Sequence, residues 1–286
     1  MDKREFQNLI KIAEKKLEAA GIESPKAEVE IILEHLLDVD RLNLYLHGAQ
    51  LVDDSIIDRF DAIVKRRVTR YPLQYILGEA WFYGRKFRVT PAVMIPTPET
   101  EILCDLAINY LKNESIAAPE ILDVGVGSGV ISVTVAAELP DARITALDIS
   151  PEALEVACQN AVALGQSGRI DFLRSDGLDA LPESGRFDLI LSNPPYIAED
   201  EYKSLPTEVL ADPKISLVSG KEGLDFIRRL VQDSPRFLRE KGRLMFEIGY
   251  DQSDKILELT KDDNRYRSLS IIKDLNDIDR VVILSR

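Results

Sequence analysis

An asparagine and two prolines follow a buried apolar run, and together they have the chemistry to bind an amino group. Asn193 offers a side-chain carbonyl oxygen, and Pro195 restricts the backbone of Pro194, whose carbonyl is then held in one direction. Two fixed acceptors suit a planar –NH2 group, because that group presents two N–H bonds. Accepting both bonds from a nitrogen that becomes pyramidal helps free its lone pair for attack on an electrophilic carbon.

Tyr196 completes this segment and has two candidate roles. Its ring can pack on the planar group, or it can face a positively charged methyl donor as a cation–π partner. A structural alternative also exists, because Asn-Pro-Pro-Tyr makes a rigid turn before the segment 197–202. The choice depends on what else the fold brings to the same strand end.

A glycine-rich loop lies where the first strand of the same region turns into a helix. Gly125, Gly127 and Gly129 occur in Asp-Val-Gly-Val-Gly-Ser-Gly, and glycines permit a tight turn and close approach of a ligand to the backbone. The dinucleotide fingerprint needs glycine where this chain has Val130. The spacing resembles instead the first motif of class I methyltransferases, which bind S-adenosylmethionine. A simple strand-to-helix turn is the alternative.

Two further strand ends carry residues that suit a nucleoside. Asp148 ends the next strand, where a carboxylate can bind both hydroxyls of a ribose, and capping of the following helix is its alternative role. By the same logic, Asp176 and Gly177 close the third strand and are expected near the adenine. Together with the glycine loop, these strand ends predict a nucleoside pocket formed by Gly125, Gly127, Gly129, Asp148, Asp176 and Gly177.

These residues need a sheet whose strand ends meet. Short apolar runs alternate with helix-length segments after residue 98, which predicts an α/β fold with a mostly parallel, doubly wound sheet. Ligands of such sheets bind outside the carboxyl ends of the strands. The expected strands are Glu120–Gly125, Arg143–Asp148, Arg169–Arg174, Phe187–Ser192, Gly242–Ile248, Leu269–Lys273 and Arg280–Ser285. Glu247 lies near the same crevice, with a solvated or capping role as the alternative.

The chain before this sheet divides into two segments. Residues 1–72 carry apolar residues at helical spacing and predict a small helical N-terminal domain. Residues 73–97 are rich in proline, glycine and aromatic residues, and they predict a β-hairpin connector. Phe82 and Tyr83 in this connector either pack between domains or line the substrate pocket. Residues 98–286 form the predicted Rossmann-like domain.

Composition and charge disfavour several other classes of protein. The 286 residues include 49 acidic and 36 basic residues, and the net charge of −13 argues against nucleic acid as the main partner. A local basic patch such as Lys65–Arg67 is the alternative. Two cysteines are too few for a disulfide framework. The cysteines and the two histidines also lack the usual pattern of a metal site. The charged N-terminus and the lack of a long apolar run predict a soluble, cytoplasmic protein.

The wider pattern resembles one family closely. Asn-Pro-Pro-Tyr is shared by amino-methyltransferases of DNA, of RNA and of protein glutamine, and the surrounding segments narrow the choice. These segments are GEAWFYGRKFRVTPAVMIPTPETEIL, ILDVGVGSG, LILSNPPYI, LVSGKEGLDFIRRL, LMFEIGYDQ and KDLNDIDRVVI. From about residue 70 onward, the chain is similar to the HemK/PrmC family of protein-(glutamine-N5) methyltransferases. It departs from the family at Thr97, where arginine is common, and at Asp212, where glutamate is common.

The resemblance implies an S-adenosylmethionine-dependent enzyme that methylates the glutamine of the Gly-Gly-Gln loop in peptide chain release factors. It implies catalytic roles for Asn193, Pro194 and Tyr196, and a glutamine site formed by these residues and Pro195. The cofactor-binding residues that it implies are Gly125, Val126, Gly127, Ser128, Gly129, Asp148, Asp176, Gly177 and Asn193. The N-terminal helices would bind the release factor, with no metal, membrane or nucleic acid taking part. Three alternatives stay open: a glutamine methyltransferase for a ribosomal protein, a DNA or RNA adenine or cytosine amino-methyltransferase, and a cofactor-binding scaffold without catalysis.

Overall fold

The structure is a computed structural model that describes residues 2–183 and 186–286. The chain forms two compact units. The first comprises the N-terminal segment up to Glu79 together with Pro206–Ala211, and the second comprises Ala80–Leu205 and Asp212–Arg286. In the described ranges, no helix combines the length and the apolar character that a membrane span requires.

The first unit is helical, and the apolar stripes of its helices form one core. Its helices are α1 (Lys3–Ala19), α2 (Pro25–Leu37), α3 (Arg41–Leu51), α4 (Asp54–Arg67) and α5 (Leu73–Leu77). Aspartates begin two of them: the Asp40 carboxylate accepts from the Asn43 backbone N–H, and Asp53 accepts from that of Ile56. The core contains Leu17 from α1 and Phe60 from α4, both fully buried.

A buried ion-pair cluster also lies in the first unit. Arg67 is 5% exposed, and it donates to the two oxygens of Glu28 at 2.7 and 2.9 Å and to Glu208 at 3.2 Å. Arg70 donates to Glu208 as well, at 2.9 Å. The alternative of a basic patch at Lys65–Arg67 is therefore wrong for Arg67, because it is buried and two half-buried carboxylates neutralise its charge.

A two-stranded hairpin precedes the main sheet. It consists of β1 (Glu79–Phe82) and β2 (Arg85–Arg88). Phe82 and Phe87 are both buried, and their rings meet edge to face with centroids 6.1 Å apart. Trp81 points the other way and is 65% exposed. One face of the hairpin is therefore part of the core of the second unit.

A seven-stranded sheet forms the centre of the second unit. Its strands are β3 (Glu120–Val124), β4 (Arg143–Asp148), β5 (Ile170–Arg174), β6 (Phe187–Ser192), β7 (Leu238–Glu247), β8 (Ser268–Lys273) and β9 (Asp279–Ser285). They lie in the order β5-β4-β3-β6-β7-β9-β8. The first five pair in parallel, and β9 pairs antiparallel with β7 and with β8. The predicted mostly parallel, seven-stranded sheet is confirmed.

Six strand boundaries differ from the prediction, five of them by one residue and the start of β7 by four. Gly125 lies outside β3, because its φ of +80° cannot continue an extended strand. β7 begins at Leu238 rather than at Gly242, because Leu238 pairs with Phe187 ahead of a register shift. The first difference matters for function, since it turns the chain into the glycine loop directly at the end of β3.

Helices cover both faces of this sheet. The helices of the second unit are α6 (Pro98–Asn113), α7 (Val130–Glu138), α8 (Pro151–Ala163), α9 (Glu199–Tyr202), α10 (Lys214–Leu217), α11 (Asp225–Asp233) and α12 (Ser253–Thr260). Successive residues of β3 serve opposite faces: Ile121 packs with α6, α7 and α8, and Leu122 packs with α11 and α12. All of β6 is buried, as is typical of a central parallel strand. The carboxyl ends of β4, β3 and β6 therefore lie side by side.

Candidate active site

A cavity of about 440 Å³ lies at the carboxyl ends of these strands. Residues from all three predicted motifs line it: Gly125, Val126, Gly127, Ser128, Asp148, Asp176, Gly177, Asn193, Pro194 and Pro195. Gly129 and Tyr196 do not line it. The fold thus brings the glycine loop, two carboxylates and the Asn-Pro-Pro segment to one cavity.

The glycine loop presents its backbone to this cavity. Gly125 has a φ of +80° and Gly127 a φ of +53°, a region that side chains disfavour. Among the residues that the structure describes, no atom apart from those of its two chain neighbours lies within 4 Å of a Cβ placed at Gly125, so the space above the loop is open to a ligand. Gly125 and Val126 both donate their backbone N–H to the Leu147 carbonyl at 2.8 Å, which fixes the loop against β4.

Gly129 serves packing rather than the cavity surface. It precedes α7 with a φ of +84°, and an added Cβ would lie 3.1 Å from the Cβ of Ala157 in α8. Only glycine therefore lets the two helices approach this closely.

Asp148 connects the loop to the end of β4. Its Oδ2 accepts from the Gly127 N–H and its Oδ1 from the Ser150 N–H, both at 2.9 Å. Burial raises the pKa of this carboxyl, and the backbone donors act in the opposite direction. Each oxygen keeps a lone pair for a further donor, which suits the two hydroxyls of a ribose. Ser150, not Asp148, caps α8, because its Oγ accepts from the Ala153 N–H.

The third strand end is held by an arginine that the sequence motifs did not reveal. Arg229 of α11 donates to Asp176 Oδ1 at 2.6 Å and to the Asp176 carbonyl at 2.7 Å. Arg229 and Phe226 also line the cavity, beside Gly177. Arg229 lies in the segment LVSGKEGLDFIRRL, which carries part of the family resemblance. Its position in a helix is the signal that the sequence offers for this residue.

The Asn-Pro-Pro segment forms the other side of the cavity. The Asn193 side-chain NH2 donates to the hydroxyl of Thr100 at 2.9 Å, and Thr100 lines the cavity from the first turn of α6. Tyr196 is turned away, and its hydroxyl donates to Glu247 at 3.3 Å. Burial is the main cause that raises the pKa of Tyr196.

Glu247 lies behind this side of the cavity, at the carboxyl end of β7. It is 1% exposed, so the interpretation of a solvated residue is wrong. Its Oε2 accepts from the Thr100 hydroxyl at 2.8 Å. Burial raises its pKa to about 7, because charge is poorly solvated there.

A second buried acid lies beneath the glycine loop. Asp123 accepts from both the backbone N–H and the hydroxyl of Ser132, at 3.1 and 2.6 Å, which anchors α7 to the end of β3. Burial raises its pKa to about 7. Within the described ranges its Oδ1 has no hydrogen-bond partner.

The aromatic residues of the hairpin lie elsewhere. Phe82 is in the core, and the Tyr83 hydroxyl donates to Asp105 at 2.5 Å. Neither lines the cavity. The two family departures have local contacts: Asp212 accepts from the Ile95 backbone N–H at 3.2 Å, and Thr97 lies 3.4 Å from Thr100, hydroxyl to hydroxyl. The described residues contain no cluster of metal-ligating side chains.

The cavity fits S-adenosylmethionine. The open backbone at Gly125 leaves room for close approach, and the Asp148 carboxylate retains acceptor capacity beside it. A mostly parallel sheet of this order, with a glycine loop and a following carboxylate at its strand ends, defines a class I methyltransferase.

Comparison with known proteins places the chain within that class. The model of the PrmC N-terminal domain matches residues 8–78, and that of the methyltransferase small domain matches residues 100–221. The release factor glutamine methyltransferase of Koribacter versatilis is 38% identical, covering 94% of each chain. That of Cereibacter sphaeroides is 40% identical, covering 96% of this chain and 95% of its own. The chain belongs to the release factor glutamine methyltransferase family. The predicted enzyme class and its use of S-adenosylmethionine are thereby confirmed.

A more distant structure shows the same fold. The catalytic domain of hMettl16, solved in complex with MAT2A 3'UTR hairpin 6, is 15% identical with a TM-score of 0.58. The match covers 82% of each chain. At this identity the likeness supports the Rossmann-like methyltransferase fold alone.

Proposed function

We propose that this protein methylates the side-chain amide nitrogen of the glutamine in the Gly-Gly-Gln motif of peptide chain release factors. The observation that carries the proposal is that Asn193 and Pro194 line the same cavity as the glycine loop and Asp148. An amide acceptor site and a nucleoside site therefore share one cavity. The names of the relatives support a release factor as the substrate.

The cofactor side of the cavity would be held by Gly125–Ser128, Asp148, Asp176 and Gly177. When bound there, S-adenosylmethionine supplies an electrophilic methyl carbon, whose transfer forms a nitrogen–carbon bond while the carbon–sulfur bond breaks and its electron pair stays on sulfur. The glycine loop lets the cofactor come close to its backbone, and Asp148 provides hydrogen-bond acceptors for the hydroxyls of a ribose. Asp176 is held in place by Arg229.

The amide side would bind the glutamine. Asn193 Oδ1 and the Pro194 carbonyl accept the two N–H bonds of the amide, which favours the pyramidal nitrogen over the planar one. Because this interaction strengthens as the nitrogen changes shape, it raises kcat rather than affinity alone. Methyl transfer leaves one surplus proton on the nitrogen, which passes to water. A base is not needed beforehand, since the reacting lone pair is already unprotonated in the amide.

The helical unit offers a surface for the release factor. Helix α3 exposes Leu42, Tyr45 and Leu46 on successive positions of one face. Apolar side chains exposed together are typical of a protein-binding surface. The net charge of −13 favours a basic protein loop over nucleic acid as the partner. We infer that the enzyme acts in the cytoplasm, with the release factors it modifies.

The test is methyl transfer from labelled S-adenosylmethionine to a purified release factor. We expect label on the wild-type factor and none on a factor whose Gly-Gly-Gln glutamine is replaced by alanine. Label that survives the replacement would overturn the proposal. Transfer to ribosomal protein or to nucleic acid, but not to the release factor, would assign the site to one of those substrates instead.

A further inference from the structure

A chain of four polar side chains runs from the cavity into the interior of the second unit. The Asn193 NH2 donates to Thr100 Oγ1 at 2.9 Å, and Thr100 Oγ1 lies 2.8 Å from Glu247 Oε2. The Tyr196 hydroxyl lies 3.3 Å from the other oxygen, Oε1. Thr100 is 2% exposed and Glu247 1% exposed, so both depend on these partners rather than on bulk water.

The donor and acceptor inventory fixes the direction of this chain. An ionised Glu247 only accepts, so the single hydroxyl hydrogen of Thr100 must point to it. The lone pairs of Thr100 then accept from its other neighbours, which are the Asn193 amide and the Thr97 hydroxyl at 3.4 Å. A carbonyl oxygen facing Thr100 would find no donor. The amide of Asn193 must therefore turn its NH2 toward Thr100 and its Oδ1 away.

This orientation matters because the two ends of an asparagine amide have nearly the same shape. Within the described ranges, no protein donor is hydrogen-bonded to Asn193 Oδ1, and the residue lines the cavity. A reversed amide would present N–H bonds to the N–H bonds of a substrate amide, which repel each other. Packing alone does not distinguish the two orientations, whereas hydrogen bonding does.

We propose that Thr100 and Glu247 are positioning residues that orient the Asn193 amide, so that Oδ1 faces the N–H bonds of the substrate. This inference rests on the proposed function, since it assigns Oδ1 to a substrate amide. Neither residue is required to touch the reacting atoms. Glu247 acts through Thr100, and Thr100 acts through Asn193.

The charge on Glu247 controls the direction of the chain. A protonated Glu247 can donate to Thr100, which releases the Thr100 hydrogen toward Asn193 and permits the reversed amide. Arg280 of β9 favours the ionised form, although its own hydrogen bonds go to Asp274 and to the Ile248 carbonyl. Glu99 of α6 opposes ionisation, as burial does.

Two further titratable groups face Glu247. The Tyr196 hydroxyl favours the ionised form as a donor. Cys104 of α6 is fully buried, and its pKa is raised by burial and, to a smaller extent, by nearby acids that include Glu247, so it stays a neutral thiol. Since the pKa of Glu247 is about 7, the oriented form should predominate above that pH and decline below it.

The first experiment compares three threonine variants under saturating substrates. Thr100→Val keeps the shape and removes the hydroxyl, and we expect kcat to fall about tenfold, as for one buried hydrogen bond. Thr100→Ser keeps the hydroxyl, so this variant should retain most of the wild-type activity. Thr134→Val is the matched control, because Thr134 is also fully buried and its hydroxyl has no hydrogen-bond partner in the described part of the chain. It should leave kcat unchanged.

The second experiment uses Glu247→Gln and pH. In the wild type, kcat should rise with pH through a midpoint near 7; in Glu247→Gln this limb should vanish, because the glutamine does not titrate. Asp123 also has a pKa of about 7, so a limb that persists in Glu247→Gln would belong to that residue or to another, and would overturn the role of Glu247. Thermal unfolding and cofactor affinity are measured alongside to show that each variant is folded.

A readout without turnover separates this inference from the proposed function. The 15N side-chain amide resonance of Asn193, assigned by its loss in Asn193→Ala, should titrate near pH 7 in the wild type and stay constant in Glu247→Gln. A wild-type enzyme that labels no release factor would overturn the proposed function. Normal labelling by Thr100→Val, with an unshifted Asn193 resonance, would overturn the positioning role alone.

Discussion

The cofactor side and the amide side of the cavity each depend on one carboxylate, half-buried Asp148 on the first and fully buried Glu247 on the second, but different parts of the chain supply the partners. Asp148 accepts from the backbone of Gly127, 21 residues away, and of Ser150, two residues away. Glu247 accepts from the side chain of Thr100, 147 residues away, and Thr100 contacts Asn193 across 93 residues. The first arrangement uses backbone donors within one βαβ unit. The second uses specific side chains from three distant segments.

This difference separates two kinds of function. Backbone donors are available whatever the neighbouring side chains are, so the proposed nucleoside site would need only a glycine loop and one carboxylate. Recognition of an amide needs oxygen acceptors that point in one direction, and a side-chain amide does not choose its direction unaided. The predictions below test whether changes on the cofactor side weaken cofactor binding, while changes on the amide side slow methyl transfer.

The largest effect is expected at Asn193. Asn193→Ala removes one of two acceptors for the substrate amide, and kcat should fall about 100- to 1000-fold, as when a preorganised transition-state contact is lost. Because the glycine loop and Asp148 are untouched, calorimetry should find the affinity for S-adenosylmethionine largely retained. An unaltered kcat would break the comparison, since the amide side would then not contain this residue.

A smaller effect, on cofactor affinity rather than on kcat, is expected at Asp148. Asp148→Ala should raise the dissociation constant for S-adenosylmethionine about 10- to 100-fold, the cost of a lost charge-assisted hydrogen bond. At saturating cofactor, kcat should change much less. Glu152→Gln is the control for charge alone, because Glu152 is exposed in the first turn of α8, near the same strand end. Equal weakening in both variants would assign the effect to net charge.

The smallest effect is on stability and concerns the packing beneath the cofactor side. Gly129→Ala should lower the free energy of unfolding by about 2–3 kcal/mol, because a positive φ and a close contact with Ala157 both oppose a Cβ. Gly165→Ala has a similar φ and open space around it, so it should cost only about 1 kcal/mol. Urea unfolding followed by the fluorescence of Trp81, the one tryptophan, measures both. Equal costs would mean that packing against Ala157 contributes nothing.

Prediction from the sequence worked best where signals were local. The seven strands followed from alternating apolar runs, and their errors were confined to ends such as Gly125 and Leu238, where a backbone angle or a register shift decides the boundary. The basic triplet at Lys65–Arg67 shows the limit. The three positive charges are evident from the sequence. The burial of Arg67 between Glu28 and Glu208 is not, because Glu208 lies 141 positions away.

The same limit explains what the site predictions missed. Glu247 was noticed as a strand end, but its interior position follows from packing against α6 and the Tyr196 loop. Thr100 carried no signal of its own, being a threonine in the first turn of a helix. In the sequence, Arg229 is an ordinary helix residue, and only the fold brings it within hydrogen-bond distance of Asp176.

The sequence by itself determined the class of sheet, and it identified the glycine loop and the Asn-Pro-Pro segment that line the cavity. Glycine, proline and apolar periodicity act within a few residues, and their effects need no distant partner. Only the tertiary structure decided which carboxylates are buried, how Asn193 is oriented and which arginine holds Asp176. Burial and hydrogen-bond direction arise from atoms that meet only after the chain has closed over them.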